Sequence, residues 1–524
     1  MKRNIKVITS FLLLTLIGLV ISCEDELLNQ TNPNALSTES FWQDEEDVRQ
    51  AVVGAYSPMS TIFGWGRYLP FTWFRRADEF TPSFENVRVR GIIVDPADIF
   101  LPNQWPEAWR LIFRCNDILD NVDTVPDLDA TVRDQAAGQA YFLRALYYFY
   151  LVNAWDNPPL ITTAAVGESI SEFPQPNSNP TAIYEQIIND AQAAKNLLPT
   201  SWGDELGRAT WGAATALLGK AYLYTEQWSE AATQFKEVID SGIYDLDPDY
   251  ANNFTEAGDN NIESVFEIQH TSEDGIGWSS DQVNSSRSSV FLQLRAPEAF
   301  GGEWIDQVNP WILDAFLSEN NNDGEIDLRA YTTVAWNNPL STIYLDQPFS
   351  ESVLDQTKIY PKKNTGMLTP GRENDGDLGT NSGQNFKLIR YADVLLMHAE
   401  ALNEAGGSEG DVLLSINSVR QRANMPDIPT GLSQSQLRDR IRMERILELS
   451  LENDRFFDLK RWGVVVDRMT GNADKLGNLG ASSDQIRAAG HPEENFPFSD
   501  VHTRVPFPIA EIQSNPLLEQ NPGY

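Results

Sequence analysis

The sequence predicts a mainly α-helical fold, in which a tetratricopeptide-like helical scaffold carries a loop-rich, partly β insertion face. Long stretches with the apolar spacing of helices predict the scaffold. Residues 56–108 and 244–386 predict the insertion face, because they are rich in Gly, Pro, Asn, Ser and Trp and have little helical period. The chain has 524 residues, 41% of them hydrophobic, which is enough for a large core, and we expect one large domain.

The first predicted helix covers residues 39–56, ESFWQDEEDVRQAVVGAY. Ser37 and Thr38 precede it and can cap its free backbone N–H groups. Acidic residues at 45–47 suit the positive end of the helix dipole. We therefore expect the helix to begin directly after Thr38.

Two longer helices are bounded by prolines. Residues 130–155 are apolar with a helical period, and Pro158 and Pro159 stop them because proline cannot continue a helix. Residues 180–199 begin and end with proline, which bounds a second helix.

Two tetratricopeptide-like hairpins are predicted, around residues 180–241 and 387–452. In the second, residues 386–407 and 411–425 supply the paired helices, and residues 432–463 supply one further long helix. In the first, small residues let two helices approach while aromatic residues fill the space between them. The residues at the repeat spacing are Leu218, Gly219, Tyr222, Trp228, Ala231 and Phe235.

The N-terminus has the pattern of a targeting segment. Lys2, Arg3 and Lys6 precede an apolar run, residues 8–21, that is too short to span a bilayer comfortably. The sequence Val-Ile-Ser-Cys that ends at Cys23 resembles a bacterial lipobox, although the commoner form has Leu, a small residue, and then Gly or Ala before the cysteine.

The lipobox divides the chain into three parts. We expect residues 1–22 to be a lipoprotein signal peptide, residues 23–36 a lipidated tether and residues 37–524 a single domain. Lipidation at Cys23 would supply enough acyl chains for stable anchoring, since one chain alone binds only marginally. Ordinary secretion and an uncleaved anchor are the alternatives.

The chain is strongly acidic, with a formal net charge of −36 at pH 7. Such a chain repels phosphate backbones and anionic membranes, so we expect no nucleic-acid partner. Cys115 is the only cysteine besides Cys23. It lies in a stretch of helical spacing, and we expect a buried thiol without a disulfide partner.

Several stretches, in order and over nearly the whole chain, resemble the SusD/RagB family of outer-membrane glycan-binding lipoproteins. The first, NPNALSTESFWQDEEDVRQAVVGAY, follows the lipobox, and the last is VPFPIAEIQSNPLLEQNPGY at the C-terminus. No single stretch is decisive, but their combination behind a lipobox is specific. They lie at residues 32–56, 109–122, 140–161, 389–406, 416–426, 441–463 and 505–524.

The resemblance implies a non-enzymatic function at the outer membrane. Family members capture oligo- or polysaccharide on the cell surface and deliver it to a SusC-like TonB-dependent transporter, over which they lie as lids. Cys23 would then hold the protein to the outer membrane through its lipid. Residues 24–26, Glu-Asp-Glu, resemble the surface-export signals of Bacteroidetes lipoproteins, with a solvated acidic tether as the alternative.

Sugar binding needs flat aromatic faces for the C–H-rich ring and planar polar groups for its hydroxyls, and the loop-rich segments supply both. The family has a glycan-site arginine after an early extended segment, and Arg75 is the residue matched to it, with Arg76 as the alternative. The resemblance also implies a site aromatic at Trp304. The predicted carbohydrate-binding residues are Trp278, Trp304, Arg75, Trp65, Tyr68 and Trp336.

The sequence gives little support to an enzyme. A glycosidase needs two carboxylates in fixed geometry, and Glu444 and Glu448 share a helix face. Arginines at 440, 442 and 445 surround them, so we expect solvated ion pairs instead. The four histidines show no metal-binding spacing, and no GxSxG, P-loop or CxxC motif is present.

A calcium loop is weakly indicated at residues 319–329, ENNNDGEIDLR. Ala330 stands where the bidentate glutamate belongs and the first ligand position is Glu319. The resemblance implies instead that Asp327 and Arg329 form a structural Asp-x-Arg motif. We expect no cofactor, and structural calcium stays an open possibility.

Two further functions stay open at this stage. RagB-like relatives are linked to peptide uptake, and a tetratricopeptide scaffold can bind protein. The sequence does not determine which glycan, linkage or chain length is bound.

Overall fold

The computed structural model describes residues 41–61, 64–66, 69, 76–82, 94, 96–97, 101–164, 174–271, 306–342, 349, 357–364, 382–452, 454–470 and 498–524. Within these residues the fold is mainly helical with short strands, which confirms the predicted fold class. Element labels below follow the described elements in chain order.

The N-terminal half supplies helices α1 (Glu45–Tyr56), α2 (Leu101–Asn121), α3 (Ala130–Trp155), α4 (Pro180–Leu197), α5 (Trp211–Tyr224) and α6 (Trp228–Asp240). The rest supplies α7 (Pro310–Phe316), α8 (Arg329–Thr333), α9 (Tyr391–Glu404), α10 (Glu409–Arg422), α11 (Gln434–Leu449), α12 (Arg455–Arg461), α13 (Val465–Thr470) and α14 (Ile509–Ser514). The strands are β1 (Phe80–Pro82), β2 (Ser264–Ile268), β3 (Asp306–Val308), β4 (Val334–Ala335), β5 (Tyr360–Pro361) and β6 (Phe386–Arg390).

Helix α1 begins later than the sequence predicted. Asp44 caps it by accepting hydrogen bonds from the N–H groups of Glu46 and Asp47 at 2.9 and 3.2 Å. The Asp47 side chain accepts in return from the Asp44 N–H, which completes a capping box. The acidic first turn was therefore predicted correctly, but the residue that caps this helix is Asp44. The predicted caps, Ser37 and Thr38, lie outside the described residues.

The scaffold is a series of helices in which each packs on the next. Helix α2 packs on α3, α3 on α4, α4 on α5 and α5 on α6. Helix α3 ends before Pro158, as the proline positions predicted, and nearly all of its C-terminal two thirds is buried. Cys115, on α2, is buried and unpaired as expected, and burial raises the pKa of its thiol.

Close helix contacts in the first hairpin depend on small residues. A Cβ atom at Gly219 of α5 would lie 2.6 Å from the Phe235 ring of α6. The aromatic ring therefore occupies the space that glycine leaves free, as the repeat spacing predicted. Helix α6 also packs on α9, so the two hairpins are neighbours although some 150 residues separate them in sequence.

The second hairpin differs from the prediction at two places. Residues 386–390, predicted as helical, form β6, and helix α9 begins only at Tyr391. The single long helix predicted over 432–463 is two helices, α11 and α12, and Leu451 between them has a φ of 64°. A non-glycine residue in this left-handed conformation cannot continue an α-helix.

In the part of the chain that the structure describes, three antiparallel two-stranded ladders join segments that are distant in sequence. Strand β1 pairs with β3, β2 with β6 and β4 with β5. These ladders are the β part of the predicted insertion face. Opposed residues are Phe80 and Val308, Ile268 and Phe386, and Ala335 and Tyr360.

Candidate functional site

The segment that carries two of the predicted sugar contacts lies between β2 and β3 in the sequence. Strand β2 ends at Ile268, opposite Phe386, and β3 begins at Asp306, opposite Pro82. Trp278 and Trp304 belong to this connecting sequence.

Trp65 belongs to the core and not to a binding face. It is 0% exposed. Its ring lies at 72° to the Tyr150 ring with centroids 5.0 Å apart, and it stacks on Phe386 at 5.3 Å. A ring without an accessible face cannot stack on a sugar, so the prediction of a sugar contact at Trp65 is wrong. The loop-like composition around Trp65 predicted an exposed ring. The ring is buried because Tyr150 of α3 and Phe386 of β6 pack against it.

Arg76, the alternative to Arg75, is likewise buried. Its guanidinium donates to the carbonyl oxygens of His502 and Arg504 at 2.5 and 3.3 Å and lies 4.7 Å from the centre of the Phe456 ring. Arg76 therefore holds the C-terminal segment, and its burial contradicts a role in glycan binding.

Trp336 is also buried, and it supports a more exposed ring. Only 7% of Trp336 is accessible, which contradicts its prediction as a direct sugar contact. Tyr331 of α8 stacks on it with centroids 5.0 Å apart and an angle of 24° between the rings. Tyr331 is only half-buried, so it presents the aromatic surface that the sequence assigned to Trp336.

The remaining predicted site residues lie outside the described residues: Trp278, Trp304, Arg75, Tyr68 and the lipidation residue Cys23.

A pocket of about 330 Å³ lies between α1, the loop before α5, and β2. Its walls are largely apolar, and Val53 and Leu206 beside it are 53% and 65% exposed. Gly207 in its wall has a φ of 84°, and a Cβ there would lie 2.3 Å from Gln269 Cγ, so only glycine fits. The volume is at the lower end of ordinary ligand sites. The apolar residues that line it are Val52, Val53, Met59, Leu206, Phe266 and Ile268.

The polar groups of this pocket already have partners in the protein. The Tyr56 hydroxyl donates to Gln139 at 3.2 Å and accepts from the Ala209 N–H at 2.9 Å. Arg208 forms an ion pair with Glu205 at 2.7 Å. An apolar group can therefore enter without breaking a polar contact.

A network of buried charges fixes the described part of the second loop-rich segment, residues 244–386, to the helical scaffold. Glu448 of α11 is 0% exposed and accepts hydrogen bonds from Arg329, Arg390 and Arg422. Burial alone would raise its pKa, but the three arginines outweigh burial and hold the pKa of Glu448 well below its usual range. Glu444 accepts from Arg329 and from Arg420 at 2.7 and 2.8 Å.

The glutamate pair was therefore predicted correctly as ion-paired and wrongly as solvated. Arg445, one of the expected partners, instead binds Asp393 and Asp458 at 2.7 and 2.8 Å. Both Glu444 and Glu448 are fully engaged by arginines, which leaves neither carboxylate accessible for glycoside hydrolysis.

Two acidic residues of the weakly indicated calcium loop are engaged by arginines. Asp327 binds Arg329 through both carboxylate oxygens, and both residues are about 1% exposed, which is the structural role expected for Asp-x-Arg. Glu319 pairs with Arg420 at 2.8 Å. Among the residues that the structure describes, no group of three or more His, Cys, Asp or Glu side chains is placed to hold a metal ion.

Within the described ranges, no helix has the length and apolar character required to cross a membrane.

Two family models match the chain. One, described as the SusD family, matches residues 262–524. The other, described as starch-binding associating with outer membrane, matches residues 27–223. The chain is 28% identical to SusD-like protein P2 of Formosa agariphila, and the match covers 100% of both chains.

Solved structures show the same fold. A SusD superfamily protein from Bacteroides vulgatus matches with a TM-score of 0.77 and 25% identity, over 92% of this chain and 100% of its own. A laminarin-binding SusD-like protein matches with a TM-score of 0.72 and 27% identity, over 92% of this chain and 100% of its own.

Proposed function

This chain belongs to the SusD family, and from that premise we propose that it binds an oligo- or polysaccharide at the cell surface without cleaving it. The observation that carries the proposal is the agreement between the family match and the similarity to a laminarin-binding SusD-like protein over 92% of this chain. A receptor of this kind needs no catalytic carboxylates.

The proposed glycan face comprises the loop-rich segments. Trp278 and Trp304 belong to the sequence that connects β2 to β3. Tyr331 is the candidate platform among the described residues, since Trp336 packs beneath it and holds its ring in one orientation. Rigid aromatic rings bind C–H-rich surfaces at a low entropy cost.

Calorimetry of the protein against a panel of oligosaccharides tests this proposal. We expect one glycan class to bind, with a dissociation constant on the order of micromolar to millimolar, because an open platform buries little of its ligand. Trp278→Ala should weaken binding roughly tenfold, from the loss of about 1 to 2 kcal/mol of stacking, and leave the melting temperature unchanged.

Trp228→Ala is the matched control. Trp228 begins α6 and packs against the core, so its loss should lower the melting temperature and leave the affinity of the folded protein unchanged. If Trp278→Ala destabilises the protein instead, with binding per folded molecule intact, Trp278 is a core residue. If no glycan binds the unaltered protein, the proposed function is wrong.

We further propose that Cys23 carries a lipid that holds the protein on the outer membrane, and that it passes its ligand to a SusC-like TonB-dependent transporter. The lipobox-like sequence before Cys23 and the family membership support this step. Purification from membranes in mild detergent should recover a TonB-dependent transporter together with the protein. Recovery of the protein alone, in conditions that preserve such complexes, contradicts the partnership.

Peptide binding is the second candidate, and the apolar pocket beside α1 favours it. Its walls suit an apolar side chain better than a sugar, because its polar groups are satisfied within the protein. If peptides are the ligand, Leu206→Asp should abolish their binding. Leu414→Asp, at a residue of α10 that is 70% exposed and outside the pocket lining, should leave it intact.

A further inference from the structure

The scaffold meets the β1–β3 ladder at two consecutive acidic residues, Asp78 and Glu79, which precede β1. Asp78 is 0% exposed and accepts two hydrogen bonds from Arg455 at 2.9 and 3.0 Å. Its carbonyl oxygen accepts from the Trp311 indole at 2.7 Å. Glu79 accepts from the Leu451 N–H at 2.8 Å through one carboxylate oxygen. These contacts connect the ladder to the break between α11 and α12.

Three polar atoms at this junction have no hydrogen-bond partner in the protein: Glu79 Oε2, Ser450 Oγ and Arg455 Nη1. The three residues are 1%, 2% and 6% exposed. A buried polar atom without a partner costs about 1 to 3 kcal/mol. Three such atoms in one place therefore indicate a shared partner.

The same three residues line a small cavity. Its volume is about 10 Å³, which is close to the minimum that accommodates the centre of one water molecule. Buried waters typically make about three hydrogen bonds to polar groups of the protein. A carboxyl oxygen, a guanidinium donor and a hydroxyl that can donate or accept are a suitable set.

We infer that this cavity binds one ordered water molecule, which hydrogen-bonds to Glu79 Oε2, accepts from Arg455 Nη1 and completes its bonding with Ser450 Oγ. The water joins the strand ladder to both sides of the helix break, because Ser450 lies at the end of α11 and Arg455 at the start of α12. The helix break and the start of β1 are then held by one hydration site in addition to the direct contacts.

A crystal structure at a resolution of about 2 Å or better tests the site directly. The expected result is a single density peak within hydrogen-bonding distance, about 2.7 to 3.2 Å, of both Glu79 Oε2 and Arg455 Nη1. A cavity without such a peak overturns the inference. A direct bond between Arg455 Nη1 and Glu79 Oε2 overturns it as well.

Ser450→Ala gives an independent test in solution. If the hydroxyl binds a water, its removal should lower the melting temperature by roughly 1 °C, as expected for one hydrogen bond in a chain of this size. If the cavity is dry, removal of an unpartnered buried hydroxyl should leave the melting temperature unchanged or raise it. Ser418→Ala, on an exposed part of α10, is the control and should show no change.

Discussion

Glu448 is a residue whose state depends on parts of the chain that are far from it in sequence. Its partners Arg329, Arg390 and Arg422 lie 119, 58 and 26 positions away. An isolated carboxylate in a protein interior is very costly, so it persists only when oppositely charged groups and hydrogen bonds surround it. This one residue therefore ties α8, β6 and α10 to α11.

Glu448→Gln should strongly destabilise the protein. The neutral side chain leaves three buried guanidinium groups short of negative charge, and breaking a buried pair costs about 3 to 5 kcal/mol. Denaturant unfolding should show this loss of free energy. Glu45→Gln, which breaks an exposed pair with Arg49, should cost less than about 1 kcal/mol. Equal effects of the two substitutions would contradict the role given to the network.

The sequence identified this glutamate pair but could not predict its burial. Helical spacing shows only the neighbours on the same helix, and the arginines at 440, 442 and 445 suggested local, solvated partners. The true partners are brought in by tertiary contacts. The prediction of a sugar contact at Trp65 failed for the same reason. The residues that cover its ring, Tyr150 and Phe386, are distant in sequence.

Glu79 should make stability depend on pH. Burial raises its pKa from 4.5 to about 7, with a smaller contribution from Asp78. The folded protein therefore keeps a proton that the unfolded chain releases above pH 4.5. The contribution of Glu79 to the free energy of unfolding is fully present below about pH 4.5. It is lost as the pH rises to about 7, and the loss is up to about 3 kcal/mol.

Unfolding free energies at pH 5 and pH 8 measure this dependence. Asp259 and Asp454 also have raised pKa values, about 7 and about 6, and they contribute to the same pH dependence. Comparing the unaltered protein with Glu79→Gln isolates the contribution of Glu79. The variant should lose less stability between the two pH values than the unaltered protein. An identical loss in both would show that Glu79 does not titrate in this range.

At the scale of the element, helices were predictable wherever several local sequence signals coincide. Prolines bound α3 and α4 in the sequence, and the structure has these helices at the predicted places. The break after α11 has no such signal. It contains neither proline nor glycine, and the chain turns at Leu451, whose N–H bonds Glu79 some 370 positions earlier.

The first hairpin makes a prediction about close packing. Gly219→Ala should destabilise the protein, because the added Cβ would lie 2.6 Å from the Phe235 ring and overpacking costs about 1 to 3 kcal/mol. Alanine favours helices over glycine by about 1 kcal/mol, which offsets only part of this. Thermal unfolding measures the net effect.

Gly54→Ala is the matched control, since a Cβ there meets no atom within 4 Å. It lies in α1 and should stabilise the protein slightly through helix propensity. If Gly219→Ala is also stabilising, the α5–α6 contact is looser than the structure indicates.

At the scale of the whole molecule, the order of motifs carried more information than any single residue. It identified the family, the helical scaffold and the two hairpins, and the structure adds that α6 and α9 pack together across the insertion. The site was less predictable. Loop composition indicated which segments are rich in aromatic residues. It could not show that Trp336 is buried beneath the more exposed ring of Tyr331.

Attachment to the membrane leads to the last prediction. A lipid on Cys23 would leave the domain free to bind ligand, because the polar, proline-containing sequence of residues 23–36 predicts a tether before it. Cys23→Ala should therefore abolish labelling with palmitate and release the protein from the membrane fraction, with glycan affinity unchanged. Cys115→Ala is the control, since this other cysteine is buried in the domain, and it should keep both label and location. Palmitate labelling and surface retention of the Cys23→Ala protein would show that the attachment lies elsewhere.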